Sequence, residues 1–128
     1  MTLVFEVPLP PRNVSSNARV HWSARSRAVK EYREHVAWAV AAATTIPDEP
    51  PERVRVSLLF GIKGGRRLGL YQPRDEPNAV DAAKPLFDGL KDARVLRDDS
   101  KRHMELGKVE ITSKQGPWVR VTIEELLR

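Results

Sequence analysis

The chain contains no cysteine. That removes a disulfide framework, a thiolate zinc site, an iron–sulfur cluster and a cysteine nucleophile from the functions open to it, and it agrees with a reducing compartment. Aromatic residues are scarce, at 6% of 128 positions. No apolar run approaches the roughly 20 residues of a membrane span. The opening residues Thr2, Leu3, Val4, Phe5 and Glu6 alternate as a strand does and lack the basic and apolar regions of a secretory signal. These absences predict a cytoplasmic protein with no membrane partner. Nor is there a Ser-His-Asp arrangement, a phosphate-binding glycine loop or a nucleotide fingerprint, since Gly64-Gly65 alone is only a turn signal. No nucleotide cofactor is expected. The three histidines, His21, His35 and His103, have no metal-ligand spacing.

Acid is missing from two stretches. From Val7 to Lys30 there is none, but there are Arg12, Arg19, Arg25, Arg27 and Lys30. From Arg53 to Arg74 there is none again, with Arg53, Arg55, Lys63, Arg66, Arg67 and Arg74. Then the sign changes: Asp75, Glu76, Asp81, Asp88, Asp92, Asp98 and Asp99 crowd one short segment. The net charge is +5, and 15 of the 22 basic residues are arginine, whose planar fork suits phosphate. Net charge alone is equally compatible with a solvated basic surface. The partition says more. A hydrolase acting on a polyanion needs arginines for phosphates and carboxylates for a divalent metal.

A length of 128 residues fits one domain spanning 1–128, able to bury about two-thirds of its unfolded surface. Residues 2–7 read as a strand, ended by Pro8, Pro10 and Pro11. From Ser23, a plausible N-cap, to Ala43 an apolar stripe of Ala24, Ala28, Tyr32, Val36, Val40 and Ala43 has helical spacing. Residues 53–62 alternate as a second strand, and 63–67 read as a mobile basic loop. A second helix runs from Asn78 to about Asp92, with Pro85 inside it as a kink or a delayed start. Residues 106–113 and 118–125 alternate around Gln115-Gly116-Pro117 and read as a C-terminal hairpin. The order β-α-β-α-β-β predicts a small α+β domain with helices packed on a mixed sheet.

Within the acidic segment, Asp75 and Glu76 stand where a loop enters the second helix, and Asp98 and Asp99 stand in the loop beyond it. A helix running out and a loop returning would bring the pairs together. Magnesium takes hard oxygen ligands and keeps several waters, so two or three convergent carboxylates suffice. Lys84 shares a helix face with Asp81 and Asp88. The plain readings are solvated aspartates, surface ion pairs at helical spacing, and Asn78 as a helix cap.

The segment resembles the RusA family of Holliday junction resolvases. Its helix motif, Lys-x-x-apolar-Asp-[Ala/Gly]-Leu, matches Lys84-Pro85-Leu86-Phe87-Asp88-Gly89-Leu90, and Asp98-Asp99 falls at the family's distance beyond it. The N-terminal half is similar too, with a strand ending Pro8-Leu9-Pro10-Pro11, a basic loop bearing Asn13 and Asn17, and a helix near Ser23 carrying Tyr32-Arg33. The resemblance implies a homodimeric endonuclease, often prophage-borne, that resolves four-way DNA junctions in recombination and repair. It implies Mg²⁺ as cofactor, with Mn²⁺ able to stand in. Carried over, Asp75, Lys84 and Asp99 are the catalytic residues, and Asp75, Glu76, Asp81, Asp98 and Asp99 are the candidate metal ligands. Arg12, Arg19, Arg25, Lys63, Arg66, Arg67 and Arg74 are the candidate DNA contacts. One position departs from the family's Asp-x-Asp-Asn: the chain reads Asp75-Glu76-Pro77-Asn78, and proline offers no ligand. Either Glu76 or Asp81 supplies the missing oxygen, or metal binding is weaker. The rival reading is a DNA-junction-binding dimer that has lost catalysis.

Overall fold

Alternation and proline placement account for most of the elements. The computed structural model describes residues 2–14, 21–45 and 48–126. They form β1 (Thr2–Val7), α1 (Trp22–Ala43), β2 (Val54–Gly61), α2 (Glu76–Ala82), α3 (Lys84–Asp92), β3 (Met104–Thr112) and β4 (Trp118–Glu125), with 3₁₀ turns at Arg12–Val14 and Arg66–Leu68. The fold is α+β, a single layer of helices on a four-stranded mixed sheet. Phe5 and Val7, the even-numbered residues Val54 to Phe60, and Val119, Val121 and Ile123 point inward to the helices. The outer face is polar and braced by Arg55 with Glu105 and Glu124, by Arg120 with Glu6, and by the Arg120 guanidinium 4.5 Å over the Trp118 ring.

The strands of the expected C-terminal hairpin do not pair with each other. The order is β1-β4-β2-β3: β3 lies parallel to β2, and β4 lies antiparallel to both β2 and β1. The inward residues of β2, Val54, Val56, Leu58 and Phe60, and those of β4, Val119, Val121 and Ile123, are all buried, and these two strands take the centre with a partner on each side. The charged β3 takes an edge, where solvent meets its outer backbone. Crossing one strand spans about 10 Å, within reach of the five residues 113–117. The loop passes the end of β2 closely, and Lys63 N–H donates to the Gln115 carbonyl at 3.0 Å. Gly116 has φ +134, and a Cβ there would stand 2.2 Å from the Gly61 carbonyl oxygen. Gly61 in turn lies under the Trp118 ring.

The helix caps differ from expectation. His21, not Ser23, caps α1: its Nδ1 accepts from Ser23 N–H at 3.2 Å. Ala28, Tyr32, Val36 and Val40 form the buried stripe, and Tyr32 OH donates to the Pro8 carbonyl at 2.7 Å. Burial drives the Tyr32 pKa well above its ordinary value. The second helix is two helices, broken at Ala83. Each begins with proline at its second residue, Pro77 in α2 and Pro85 in α3, where no intrahelical bond needs the missing N–H. Asp75, not Asn78, caps α2, accepting from Asn78 N–H at 3.0 Å. Residues 63–67 are tied into a 3₁₀ turn, with Gly65 N–H donating to Ile62 and Leu68 N–H to Gly65. α3 lies tightly on α1 because Gly89 presents no side chain: a Cβ there would come 2.6 Å from Val36 Cβ. Arg33 clamps the same contact with a two-bond pair to Asp92 at 2.9 and 3.0 Å.

Candidate active site and nucleic-acid interface

The two acid-free stretches meet in space. Pro11 bridges Leu70, Arg12 N–H donates to the Gly69 carbonyl at 3.3 Å, and Tyr71 N–H donates to the Pro10 carbonyl at 2.8 Å. This backbone zip sets Arg12 beside the 3₁₀ turn that carries Arg66 and Arg67. Arg12, Lys63, Arg66, Arg67 and Arg74 are all exposed. Arg19 lies outside the described residues. Tyr71 links this basic face to α2, its hydroxyl donating to the Asn78 carbonyl at 3.3 Å. Partial burial raises the Tyr71 pKa, and the negative charges of Asp81 and Asp75 add to the shift.

Where α1 meets α2 and α3 there is a cleft of about 250 Å³ lined by Val14, Arg25, Val29, Asp81, Lys84, Pro85 and Asp88. Each residue has a local reason to be there. Arg25 and Val29 lie one turn apart on α1. The proline start of α3 places Lys84 at its exposed first position, while Pro85 packs inward as the floor. Lys84 has no ion-pair partner among the described residues. A cation without a partner, beside an arginine and two carboxylates over an apolar floor, suits a phosphate with a reacting centre next to it. Of Glu76 and Asp81, Asp81 lines this cleft.

A second cluster lies further along α3. Lys91 Nζ stands 3.1 Å from Asp88, 3.9 Å from Asp98 and 3.9 Å from Asp99. The chain returns to make it. α3 ends with Arg94 at φ +64, Arg94 N–H donating to Lys91 and Val95 N–H to Leu90, and the buried Val95 and Leu96 then lead back to the aspartates. Asp98 accepts from Asp99 N–H at 2.9 Å, and this backbone bond, followed by the Ser100 hydroxyl, holds its carboxyl below the usual range. The hydrogen bond to Asp88, then the three nearby carboxylates, push Lys91 above its ordinary value. Sequence reasoning paired Lys84 with Asp81 and Asp88 and missed Lys91. Its i,i+3 spacing from Asp88 was the available signal.

The returning loop therefore brings Asp98 and Asp99 to Asp88. Asp75 and Glu76 are exposed at the other end, at the start of α2. Asp99 also lines a separate hollow of about 410 Å³ with Arg53, Lys101, Met104, Glu105 and Leu106. Among the described residues, no three acidic or histidine side chains gather as a ready metal group. In donor chemistry the carboxylates fit a hard divalent ion, but the space between Asp88, Asp98 and Asp99 is taken by the ammonium of Lys91. No helix of the described residues is long and apolar enough to cross a membrane.

No protein-family model matches the chain. It is similar to an uncharacterized protein of Xylella fastidiosa (strain Temecula1), with 30% identity over 121 residues, covering 91% of this chain and 72% of the relative.

Proposed function

This chain belongs to one family with that Xylella fastidiosa protein, and we propose that it is a RusA-like, Mg²⁺-dependent endonuclease that resolves four-way DNA junctions in the cytoplasm as a homodimer. The observation that carries this reading is the cleft at the helix junction, where Lys84, free of ion pairs among the described residues, faces Arg25 and Asp81. Arg25 holds a backbone phosphate. Lys84 stabilises the charge that grows on the phosphoryl oxygens in the transition state. Asp81, which lines the cleft, would take the place that Pro77 leaves without a ligand; the family resemblance adds Asp75 and Asp99, with Glu76 and Asp98 beside them, which the described residues do not bring into one group with it. A divalent ion held there would supply Lewis acidity to the phosphodiester and lower the pKa of a water. Arg12, Lys63, Arg66, Arg67 and Arg74 grip backbone and so select shape over sequence. A dimer presents two clefts to two strands, matching the two-fold symmetry of a junction.

A second reading, a junction-binding dimer without catalysis, is favoured by one observation: Asp75 is engaged as the cap of α2 and Pro77 serves as its first-turn proline. Cleavage of a synthetic four-way junction beside linear duplex, with and without Mg²⁺, separates the two. Paired nicks that require Mg²⁺ support the enzyme. Tight junction binding with no nicks supports the binder. In either case, neutralising ~6 phosphates gives a log–log salt slope of about −5, and a salt-independent affinity sinks both.

A further inference from the structure

Trp22 is 75% exposed in a chain with only three tryptophans. Among the described residues nothing buries it, and its place is set by the helix start. It is the first residue of α1, and its neighbour His21 is pinned by two contacts to Ser23, Nδ1 to Oγ at 2.7 Å and Nδ1 to N–H at 3.2 Å. The two rings stand 5.5 Å apart at 34°. Helical geometry fixes where the indole lies. Trp22, Arg25 and Val29 are spaced by three and four residues and form one stripe of α1. Arg25 and Val29 line the cleft with Lys84 and Asp81. Trp22 is thus the outermost rung of the stripe whose lower rungs wall the candidate site.

From this we propose that Trp22 is a stacking platform for a nucleobase, taking a base exposed at the branch point of the DNA whose phosphate Arg25 receives. The proposal rests on the nucleic-acid reading above and adds a base-contacting residue to a surface otherwise built for phosphates. Every base has a π-face, so stacking on an indole is sequence-tolerant and favours sites where bases are already unstacked. That adds to the preference for a junction over continuous duplex that the arrangement of phosphate contacts gives. An indole has few rotatable bonds, so little entropy is lost when it is covered. Trp38, 79% exposed, is the internal contrast. It lies roughly 160° round the same helix from Trp22, beside Glu34 and His35 rather than the cleft.

The test measures affinity in EDTA, so that it does not depend on cleavage, for a synthetic four-way junction and for linear duplex with the same arm sequences. Trp22→Ala should weaken junction binding about 10-fold, in the range for loss of one stacked base, and shift duplex binding less than about 2-fold. Trp22→Phe should keep most of the junction affinity but abolish the DNA-induced quenching of tryptophan emission. Trp38→Ala should change neither. Junction affinity unaltered in Trp22→Ala, or quenching that persists in Trp22→Phe, overturns the proposal. A protein that binds junctions through Trp22 without cutting them upholds it while removing the nuclease reading. An unmodified protein that binds no DNA overturns both.

Discussion

Lys84 and Lys91 occupy the same helix, two turns apart, and share one face of α3. Their surroundings are opposite. Lys91 sits among Asp88, Asp98 and Asp99 with its charge answered three times. Lys84 opens on a cleft with Arg25 and has no ion-pair partner among the described residues. The difference shows what a charge is for. A cation enclosed by carboxylates holds a loop against a helix and has little left to offer a ligand. A cation in no ion pair keeps more of its field for an incoming anion, even with Asp81 and Asp88 in the same cleft. Asp88 lies between them, lining the cleft while bonded to Lys91, so the two regions share a residue.

The sharpest break in that contrast comes from removing the unanswered charge. Lys84→Ala should lower junction cleavage by at least ~100-fold, the effect of deleting one well-placed electrostatic stabiliser. The thermal midpoint should hardly move, because an exposed side chain without a partner contributes little to the folded state. Asp99→Asn should lose cleavage to a similar extent while binding junctions in EDTA as well as before. Cleavage at the unmodified rate by Asp99→Asn under saturating Mg²⁺ defeats the catalytic reading of the acidic segment.

A smaller effect is expected from Gly89, on the opposite side of α3 from both lysines. A methyl group there must push Val36 away, since its carbon would fall 2.6 Å from Val36 Cβ. Gly89→Ala should destabilise the fold by about 2 kcal/mol, the usual scale of overpacking, read as a lower urea midpoint. It should also weaken DNA binding, because α1 carries Arg25 and α3 carries Lys84, and separating the helices widens the cleft between them. Gly89→Ala with an unchanged midpoint shows that α1 and α3 are held by something other than this contact.

Much of this arrangement was legible in the sequence, and the failures have one cause. β1 and β4 fall at the residues that alternation marks, and the buried stripe on α1 is the one its spacing draws from Ala28 to Val40, while Ala24 is only partly buried and Ala43 is exposed. The class of fold follows from those periods. What periodicity cannot carry is pairing between distant segments. β3 and β4 are neighbours in sequence with a good turn between them, yet β2, from earlier in the chain, stands between them. The same holds in the site. Lys84 and Asp88 were visible as members of one motif, but Arg25 reaches the cleft only through the packing of α1 on α3. Asp98 and Asp99 reach Lys91 only through the left-handed residue Arg94, which no glycine announces. The helix break at Ala83 was half visible: Pro85 signalled a disturbance, and Pro77, conspicuous as a missing ligand, turns out to start α2.

Removing the answered charge should have the smallest effect, and its pH dependence tests whether the cluster is built as described. Lys91→Met keeps the length of the side chain and deletes its charge, leaving Asp88, Asp98 and Asp99 to repel one another. The pair with Asp88 is partly shielded from solvent, so the loss should be roughly 1 kcal/mol, at the upper end for ion pairs near a surface. Junction cleavage should fall far less than in Lys84→Ala. The two ends of the titration differ in sign. The folded state raises the Lys91 pKa, chiefly through its hydrogen bond to Asp88. Its contribution is therefore complete below about pH 10 and fades as pH rises through the raised value. The folded state lowers the Asp98 pKa, chiefly through the Asp99 N–H. That contribution is present above about pH 4 and fades as pH falls through the lowered value. The difference in stability between the unmodified protein and Lys91→Met, followed by urea unfolding, should therefore be flat from about pH 5 to 9. It should shrink below pH 4, where protonated carboxyls no longer need a counter-charge. A difference that grows on acidification instead means that Lys91 is not held by those carboxylates, and the contrast between the two lysines collapses.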